Sequence, residues 1–373
     1  MTELINFYKN KNVFITGHTG FKGTWLTKIL LMAGARVTGY SKDIPTKPSL
    51  YEKAGLSEFC KDGQLNDIRG DIRDLNTLSE AFRKAKPEIV FHLAAQPIVR
   101  ESYRDPVGTY ETNVMGTVNI MDCIRRSDSV RSAVIITTDK VYHNNEWCWG
   151  YRECDPLDGF DPYSNSKSCA ELVVNSYKNS FLENVDSCVS VSTARAGNVI
   201  GGGDFAADRI IPDCVRVMEK AYHSGDKEGV IEVRHPDSIR PYQHVLDPLG
   251  AYLIIACRQW YDKNYADSYN VGPDECDCVT TGNLVEKFCK AWNESRHDRF
   301  PAARWTANIN NDDVHEASFL KLDSTKIRQR LGYKSICGID ECIRKTVTFS
   351  MKYLEEIGSV PAQMEMEIRE HFK

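Results

Sequence analysis

The stretch VFITGHTGFKG at residues 13–23 determines the fold. The β-branched run at its start leads directly into a loop with glycines at Gly17, Gly20 and Gly23, and an apolar helical pattern begins at Trp25. Glycines at this spacing permit a tight turn and close backbone approach, and the amides that open the following helix can bind a pyrophosphate. Three such glycines alone more often form an ordinary turn. Between a strand and a helix they predict a dinucleotide site.

Outward from this loop, short β-branched runs alternate with longer amphipathic stretches as far as Arg195. This alternation is typical of a doubly wound parallel sheet with crossover helices, a Rossmann-type α/β fold. We expect strands at residues 13–16, 36–40, 67–71, 88–93, 133–137 and 188–194, and helices at residues 25–32, 75–84, 107–125 and 166–181.

Beyond Arg195 the rhythm changes to a glycine cluster at residues 201–203 and then to charged loops, which indicates a smaller mixed α/β domain that binds the substrate. A helical pattern at residues 245–260 and a strand pattern at 268–271 belong with the first sheet. We therefore expect a dinucleotide-binding domain over residues 1–196 with returning segments at about 241–272, interleaved with a second domain over 197–240 and 273–373.

The composition of the 373 residues is that of a globular protein, with 42% apolar and 27% charged residues. The net charge of -5 is not concentrated in long blocks of either sign, so we expect no nucleic-acid partner. The first twelve residues lack the apolar core of a signal peptide, and no apolar run is long enough to cross a bilayer. We expect a cytoplasmic protein that does not contact membranes.

The 13 cysteines are scattered along the chain without a Cys-x-x-Cys pair, and only Cys276 and Cys278 lie close together. Structural zinc sites normally use regularly spaced pairs of ligands. We therefore expect buried, reduced thiols and no metal site.

A second group of residues lies beyond the fifth predicted strand. Tyr163 is the only one of the 17 tyrosines with a lysine four residues later, Lys167, a spacing that puts both side chains on one helix face. A neighbouring ammonium favours the phenolate, so we expect a lowered pKa at Tyr163, as a general base requires. Thr138, where the fifth strand ends, can hydrogen-bond an alcohol beside Tyr163. The alternative is a surface tyrosine beside a solvated lysine.

Together these motifs resemble the short-chain dehydrogenase/reductase superfamily. Further segments are similar to its extended branch, the NAD-dependent epimerases and dehydratases that act on nucleotide sugars. They are HLAAQP from His92, NVMGT from Asn113, EWCWGYRE from Glu146, GNVIGGGDF from Gly197, DRIIPDCVR from Asp208 and RPYQHV from Arg240. Within that branch they are most similar to the dehydratases whose substrate is CDP-glucose. The resemblance extends from about residue 12 to about residue 331.

The resemblance implies a reaction in which the sugar is oxidised at C4, water is eliminated across C5 and C6, and a hydride returns to C6. The product would be a 4-keto-6-deoxy sugar, a precursor for deoxysugars such as those of lipopolysaccharide. Tyr163 would be the base for the C4 hydroxyl, Lys167 would tune it, Thr138 would orient the substrate and Asp139 would protonate the leaving oxygen. Related dehydratases for dTDP-glucose and GDP-mannose have a glutamate base for C5 where this chain has Lys140, which we expect to take that role.

NAD is the cofactor that the resemblance implies, and Asp43, 20 residues after Gly23, is placed to bind its ribose diol. Ser41 and Lys42 leave NADP open. The implied cofactor-binding residues are Gly17, Thr19, Gly20, Phe21, Lys22, Gly23, Asp43, Asp71, Ile72, Leu93, Ala94, Ala95, Gln96, Asn113, Tyr163 and Lys167. The implied substrate-binding residues are Gln96, Asn198, Arg209, Arg234 and Arg240, with Arg240 as the diphosphate ligand. His315 and Glu316 match a family segment whose role we do not derive.

Two alternatives stay open. An epimerase of the same branch would use Tyr163 and Lys167 but needs no acid for a departing hydroxyl, so Asp139 and Lys140 argue against it. A non-catalytic dinucleotide sensor usually lacks the tyrosine and lysine pair. Because the family pairs the helices at residues 107–125 and 166–181 between subunits, we expect a homodimer or a dimer of dimers.

Overall fold

The computed structural model describes residues 3–183, 188–308, 319–356 and 359–373. Its strands are β1 (Asn12–Thr16), β2 (Arg36–Ser41), β3 (Leu65–Arg69), β4 (Ile89–His92), β5 (Ser132–Ile136), β6 (Ser190–Ala196), β7 (Asn198–Ile200), β8 (Glu228–Val233), β9 (Ile239–His244), β10 (Ser268–Val271), β11 (Cys278–Thr280) and β12 (Ala302–Ala307). Its α-helices are α1 (Glu3–Phe7), α2 (Phe21–Met32), α3 (Leu50–Lys53), α4 (Leu56–Lys61), α5 (Leu75–Ala85), α6 (Val99–Arg104), α7 (Pro106–Tyr110), α8 (Gly116–Arg125), α9 (Pro162–Tyr177), α10 (Ile210–Ser224), α11 (Leu246–Tyr261), α12 (Thr281–Ser295), α13 (Thr325–Leu331), α14 (Ile339–Leu354) and α15 (Val360–His371). Short 3-10 turns lie at Asp139–Val141, Lys263–Tyr265 and Glu275–Asp277, and π-helical turns at Glu111–Met115 and Lys178–Leu182.

Seven parallel strands form the central sheet in the order β10-β6-β5-β4-β1-β2-β3. Val13 of β1 lies opposite Val37 of β2 on one side and Ile89 of β4 on the other. The strand order reverses at β1, and doubly wound sheets bind their ligands at the carboxyl ends of the strands beside such a reversal. The predicted Rossmann-type α/β fold is confirmed.

Helices cover both faces of the central sheet. Val13 and Ile15 of β1 point to the core shared with α2 and α11, whereas Phe14 points to the core shared with α5, α8 and α9. Burial on both faces is what makes the strands of a parallel sheet continuously apolar. This is why runs such as VFIT, and not alternating patterns, marked the strands in the sequence.

A second lobe contains two small sheets, β11-β9-β7 and β12-β8, which pack with α10, α12 and α14 around Phe288 and Trp292. This is the smaller mixed α/β domain that the sequence predicted. Strand β10 and helix α11 return to the central sheet, and so do α13 and α15, whose Ile327 and Ile368 pack in the core with α2. The domain boundaries stay a prediction, but this packing shows that the C-terminal third contributes to both cores.

Four elements begin two or more residues away from their predicted positions. Strand β3 begins two residues earlier than predicted, because the buried Leu65 pairs with Val37 of β2. Strand β6 begins two residues later than predicted. Helix α2 begins four residues early because Gly20 is its N-cap, so the end of the glycine loop is already helical. Helix α9 begins at Pro162, where the Asp161 carboxylate accepts a hydrogen bond from the backbone N–H of Ser164 at 2.9 Å.

The cysteines are free thiols, and the prediction that they are buried is only partly right. Five are buried, namely Cys123, Cys214, Cys289, Cys337 and Cys342. Five are exposed on loops and helix surfaces, namely Cys60, Cys148, Cys154, Cys188 and Cys276. Within the described ranges, no group of three or more His, Cys, Asp or Glu side chains could hold a metal ion. No helix in the same ranges combines the length and apolarity needed to cross a bilayer.

The glycine loop packs against its own helix and the segment after β4. Gly17 has a φ of +76°, and a Cβ there would lie 2.7 Å from the backbone nitrogen of Ala94. A Cβ on Gly23 would lie 2.0 Å from the carbonyl oxygen of Gly17. At Gly20, by contrast, the nearest atom of the described residues would be 3.5 Å away. Gly17 and Gly23 are therefore required by the fold, whereas a Cβ at Gly20 would fit in ordinary van der Waals contact.

We expect Gly23→Ala to destabilise the protein, because its methyl group would meet backbone atoms that cannot rotate away. Overpacking of this kind costs about 1–3 kcal/mol. The matched control is Gly20→Ala, for which we expect a loss within about 1 kcal/mol. Thermal unfolding of the three proteins measures both effects. Equal midpoints for the two variants would contradict the close packing of Gly23.

Candidate active site

A cavity of about 940 Å³ opens at the carboxyl ends of β1, β4 and β5, between the central sheet and the second lobe. Its volume lies at the upper end of the range for small-molecule sites. The wall combines the glycine loop, the segment after β4, the end of β5, the start of α9, and side chains of the second lobe.

Nearly all of the predicted site residues line this cavity. They are Gly17, Thr19, Gly20, Phe21, Lys22, Gly23, Asp43, Asp71, Ile72, Leu93, Ala94, Ala95, Gln96, Thr138, Lys140, Tyr163, Lys167, Asn198, Arg209, Arg234 and Arg240. Two predicted residues, Asn113 and Asp139, lie behind the wall. His315 and Glu316 lie outside the described residues. The binding role of each residue stays a prediction; what the structure adds is that one cavity collects them.

Asn113 holds the loop after β4 in place. The helix predicted over residues 107–125 contains the π-helical turn Glu111–Met115, which turns Asn113 towards that loop. Its Oδ1 accepts a hydrogen bond from the backbone N–H of Gln96 at 2.8 Å, and its Nδ2 donates to the carbonyl of Gln96 and to Ser166 Oγ. The turn thereby positions backbone that lines the cavity.

The segment after β2 lies close to the glycine loop. Thr19 Oγ1 donates to the backbone carbonyl of Asp43 at 2.6 Å, which holds Asp43 in the cavity wall. Ser41 Oγ lies 2.8 Å from the His18 ring, and Lys42 Nζ lies 3.7 Å from an Asp71 carboxylate oxygen. Because Ser41 and Lys42 already have partners, this end of the cavity suits a ribose diol better than a further phosphate.

Four chemically active side chains come from the end of β5 and the start of α9. Thr138 Oγ1 donates to Asp139 Oδ1 at 2.9 Å, and Lys167 Nζ donates to the Ile136 carbonyl at 3.2 Å. Tyr163 and Lys167 share one face of α9 and both reach the cavity. Asp139 and Tyr163 are far apart in the sequence, and the parallel sheet brings them to the same end of the fold.

Burial has the largest effect on the pKa values of Tyr163 and Lys167. It raises the pKa of the Tyr163 phenol to about 12, with a hydrogen bond from Thr138 acting in the opposite direction. It lowers the pKa of Lys167 to about 8. The predicted lowering of the Tyr163 pKa is therefore wrong for the protein groups alone, because desolvation outweighs the neighbouring charges. A cationic ligand beside the phenol would act in the required direction.

Asp139 is a buried carboxyl group with 2% of its surface exposed. Its Oδ2 has no hydrogen-bond partner among the described residues. Burial raises the pKa of Asp139, against the opposing charges of Lys140 and Arg240 and the hydrogen bond from Thr138. A raised pKa moves a carboxyl group towards the proton affinity that a general acid needs near neutral pH.

Lys22 contributes a cation that the sequence assigned only to cofactor binding. Burial lowers its pKa to about 7, and the positive charges of Arg209 and Lys167 act in the same direction. Its Nζ donates to Tyr252 Oη at 3.5 Å. The lysine follows from the FKG sequence of the loop, but its proximity to Arg209 depends on the arrangement of the two lobes.

Three arginines of the second lobe line the far end of the cavity. Arg240 projects from β9 and is buried, and its Nη1 donates to the carbonyl of its neighbour Ile239. Arg209 forms an ion pair with Asp204 at 3.2 Å, and Arg234 lies 3.7 Å from Asp208. Guanidinium groups suit a diphosphate. The wall also contains residues that the sequence analysis did not assign to the site. Asp208 and Tyr242 lie in the quoted segments DRIIPDCVR and RPYQHV, whereas no local motif marks His235, Ser238 and Thr281.

A glycine loop, a Tyr-x-x-x-Lys pair and a strand-end hydroxyl around one cavity define a centre of the extended short-chain dehydrogenase class. The model of the GDP-mannose 4,6-dehydratase family matches residues 14–346. The chain is 43% identical over 353 residues to the CDP-glucose 4,6-dehydratase of Salmonella typhimurium, covering 94% of this chain and 93% of the relative. A probable dTDP-glucose 4,6-dehydratase of Sinorhizobium fredii is 24% identical, covering 92% of this chain and 93% of the relative. The chain belongs to the GDP-mannose 4,6-dehydratase family, within the extended short-chain dehydrogenases.

Solved structures share the fold. The UDP-glucose 4-epimerase of Thermotoga maritima aligns with a TM-score of 0.72 and 18% identity, covering 92% of this chain and 99% of the epimerase chain. The dTDP-glucose 4,6-dehydratase of Bacillus anthracis, solved in complex with NAD, aligns with a TM-score of 0.70 and 17% identity, covering 92% and 97%. At these identities the likeness concerns the architecture.

We expect Asp139→Asn to stabilise the ligand-free protein at neutral pH. Folding raises the pKa of Asp139, so the protonated form of this carboxyl favours the folded state. The free energy of unfolding therefore falls as the pH rises from the usual pKa of 3.8 to the raised pKa. An amide of similar shape removes this cost. Thermal unfolding between about pH 4 and pH 8 should therefore show a gain for the variant that grows with pH.

The control for this measurement is Asp71→Asn. The hydrogen bonds from Arg73 lower the pKa of Asp71, so this carboxylate stabilises the folded protein above its usual pKa. We expect the control to be less stable than the unaltered protein by an amount that changes little between about pH 5 and pH 8, because the stabilising charge is already present above the usual pKa of 3.8. An Asp139→Asn curve that parallels the control would contradict a buried acidic group at residue 139.

Proposed function

We propose that this protein converts CDP-glucose into CDP-4-dehydro-6-deoxyglucose and water, with NAD as a cofactor that is regenerated in each turnover. The observation that carries the proposal is the buried carboxyl of Asp139, which lies behind the cavity wall next to Lys140, while Lys140 lines the cavity together with Tyr163 and Lys167. Elimination of water needs an acid and a base in addition to the groups that oxidise the sugar. The identity of 43% to a CDP-glucose 4,6-dehydratase supports the choice of substrate.

The residues around the glycine loop fit NAD. The α2 N-terminus has no side-chain cap in the described part of the chain, so its backbone N–H groups are available to a pyrophosphate. Gly20 lines the cavity, where the phosphates would lie, and Asp43 would bind the ribose diol. NAD held by these residues would supply the hydride acceptor for oxidation at C4 and the hydride donor for reduction at C6.

Oxidation at C4 requires removal of the C4 hydroxyl proton. Tyr163 accepts this proton, and Thr138 holds the hydroxyl by a hydrogen bond. Lys167 keeps its charge at neutral pH, because its pKa lies at about 8, and this charge favours the phenolate of Tyr163. The three residues thus prepare the alcohol for oxidation.

Elimination follows because the C4 ketone acidifies the hydrogen on C5. Lys140, after losing its own proton, takes the C5 proton as the C5–C6 double bond forms and the C6–O bond breaks, and it returns a proton to C5 when the hydride is added at C6. Asp139 delivers a proton to the departing C6 oxygen, so the group leaves as water. The positive charges of Arg240, Arg209 and Arg234 bind the diphosphate that connects the sugar to cytidine.

We further propose that the protein is a homodimer that acts in the cytoplasm. Helices α7, α8 and α9 lie side by side and leave apolar side chains exposed, with Val107 at 67%, Met115 at 50% and Leu172 at 55%. Exposed apolar patches on one face favour association of two copies. Pairing of this face between two copies would bury these side chains.

The decisive experiment incubates the purified protein and NAD with CDP-, dTDP-, UDP- and GDP-glucose in parallel. We expect loss of one water from CDP-glucose, detected by mass spectrometry as a 4-keto product, with the other substrates converted much more slowly. Preferential conversion of another nucleotide sugar would contradict the assignment of cytidine. Isomerisation without water loss would indicate an epimerase, and NAD binding without conversion of any substrate would indicate a dinucleotide sensor.

We expect Lys140→Met to slow elimination by about 10²–10⁴-fold, the usual contribution of a general base. Oxidation at C4 should continue, because Tyr163 and Lys167 are unchanged. Reduction of NAD in a single turnover reports oxidation at C4, whereas product formation and the uptake of deuterium at C5 from D₂O report elimination. The control is Lys140→Glu, which replaces the amine with the carboxylate found in related dehydratases and should retain more activity. Normal elimination by Lys140→Met would rule out Lys140 as the C5 base.

A further inference from the structure

Helix α9 carries a third polar side chain on the face that presents Tyr163 and Lys167. Glu171 lies four residues beyond Lys167, which itself lies four residues beyond Tyr163, so the three side chains follow one another along a single face. Glu171 is 3% exposed and lies behind the cavity wall. A buried carboxylate at this position calls for a physical explanation, because burying a charge is costly unless it is paired.

Glu171 is hydrogen-bonded through both oxygens. Its Oε1 accepts a hydrogen bond from Thr137 Oγ1 at 2.5 Å. Its Oε2 accepts one from Thr193 Oγ1 at 2.8 Å and one from Arg195 Nη2 at 2.8 Å. Arg195 also donates to Tyr142 Oη and to the carbonyl of Glu153. The carboxylate therefore joins α9 to the ends of β5 and β6.

These contacts fix two groups of active residues relative to each other. Thr137 directly precedes Thr138 and Asp139, so the bond from Thr137 to Glu171 ties the end of β5 to the helix that carries Tyr163. Catalytic groups tolerate displacements of well under about 1 Å before the rate falls sharply. A hydrogen bond between two buried side chains is suited to such a constraint, since it holds direction as well as distance.

The charge of Glu171 also acts on Lys167. Burial lowers the pKa of Lys167, and the negative charge of Glu171 opposes that effect. The other groups that interact with Lys167 are Lys22 of α2 and His92 of β4. Burial and the Lys167 charge lower the pKa of His92 to about 3, so His92 is neutral at working pH. Of these neighbours, only Glu171 favours the charged form of Lys167.

Glu171 itself has cationic neighbours on two elements. Arg195 of β6 forms an ion pair with it at 2.8 Å, and Lys178 interacts with it from the π-helical turn that continues α9. Tyr142 lies on the far side of Arg195, where its hydroxyl donates to Asn270 of β10 at 2.6 Å. With Arg195 in place, the negative charge of Glu171 still raises the pKa of Lys167.

We propose that Glu171 is an electrostatic positioning residue: its carboxylate supplies the negative charge behind Lys167 and locks the helix of Tyr163 and Lys167 to the end of β5. This role rests on the proposed dehydratase function, in which Lys167 must be charged. It makes no contact with substrate or cofactor. This role explains why a carboxylate occupies a buried position where an apolar side chain would avoid the desolvation cost.

The test measures the protonation of Lys167 directly. Competitive labelling with acetic anhydride at a series of pH values, read by peptide mass spectrometry, gives the midpoint at which each lysine becomes reactive. We expect a midpoint near pH 8 for Lys167 in the unaltered protein. In Glu171→Gln we expect this midpoint to fall by about one unit or more, because the opposing negative charge is removed. Peptide assignment separates Lys167 from Lys22.

Thr193→Val is the matched control. It removes one hydrogen bond to the same carboxylate oxygen without changing the charge, so we expect the Lys167 midpoint to stay in place. The high-pH limb of kcat/KM should move to lower pH in Glu171→Gln and stay in place in Thr193→Val. A folded Glu171→Gln protein with an unshifted Lys167 midpoint would overturn the proposal.

Glu171→Asp covers the case in which Glu171→Gln fails to fold. Aspartate keeps the charge but is one methylene shorter, so we expect kcat to fall while the Lys167 midpoint stays in place. A shifted midpoint in Glu171→Asp would overturn the electrostatic role. Because labelling needs no turnover, it also separates this proposal from the dehydratase assignment. If the unaltered protein dehydrates no nucleotide sugar, the proposed function is refuted. The labelling would still show whether Glu171 raises the pKa of Lys167.

Discussion

The close contact among Gly17, Gly23 and Ala94 is the constraint on which the rest of the site depends. There is no space for a side chain at Gly17 or Gly23, so the first turn of α2 lies directly against the end of β1 and the segment after β4. This contact sets the position of Lys22 and of the backbone amides at the helix start. It also leaves the cavity open at the carboxyl edge of the sheet, where the ends of β4 and β5 bring their own residues. A larger residue at either position would separate these parts.

Desolvation has the largest effect on the pKa values of the three buried groups Tyr163, Lys167 and Asp139. Burial raises the pKa of Tyr163, lowers the pKa of Lys167 and raises the pKa of Asp139. In each case burial favours the neutral form of the side chain. The chemistry therefore requires local charges that counteract burial. Glu171 supplies one for Lys167, and a cationic ligand would supply one for Tyr163.

The sequence predicted those parts of the molecule that depend on short-range pattern. The central sheet, the glycine loop and the Tyr163–Lys167 spacing all follow from residues close together in the chain. The burial of Asp139 and the bonds of Glu171 do not, because they depend on β5, β6 and α9 meeting in space. The signal for Glu171 was present, since it continues the four-residue spacing of Tyr163 and Lys167, but an acidic residue at that spacing is ordinary on a helix surface. The packing of α15 against α2 had no local signal at all.

The pair Asp139 and Lys140 separates dehydration from simple epimerisation on physical grounds. An epimerase needs one group to exchange a proton or hydride at C4, and an ionisable side chain buried beside that centre would only cost stability. Here the chain buries a carboxyl with a raised pKa directly after the strand-end hydroxyl and follows it with an amine in the cavity wall. Burial penalises the carboxylate and raises the pKa of Asp139. Donation of its proton to a departing oxygen would create this buried charge, which the positive charges of Lys140 and Arg240 offset. The cost of burying Asp139 is thus linked to the step that distinguishes a dehydratase.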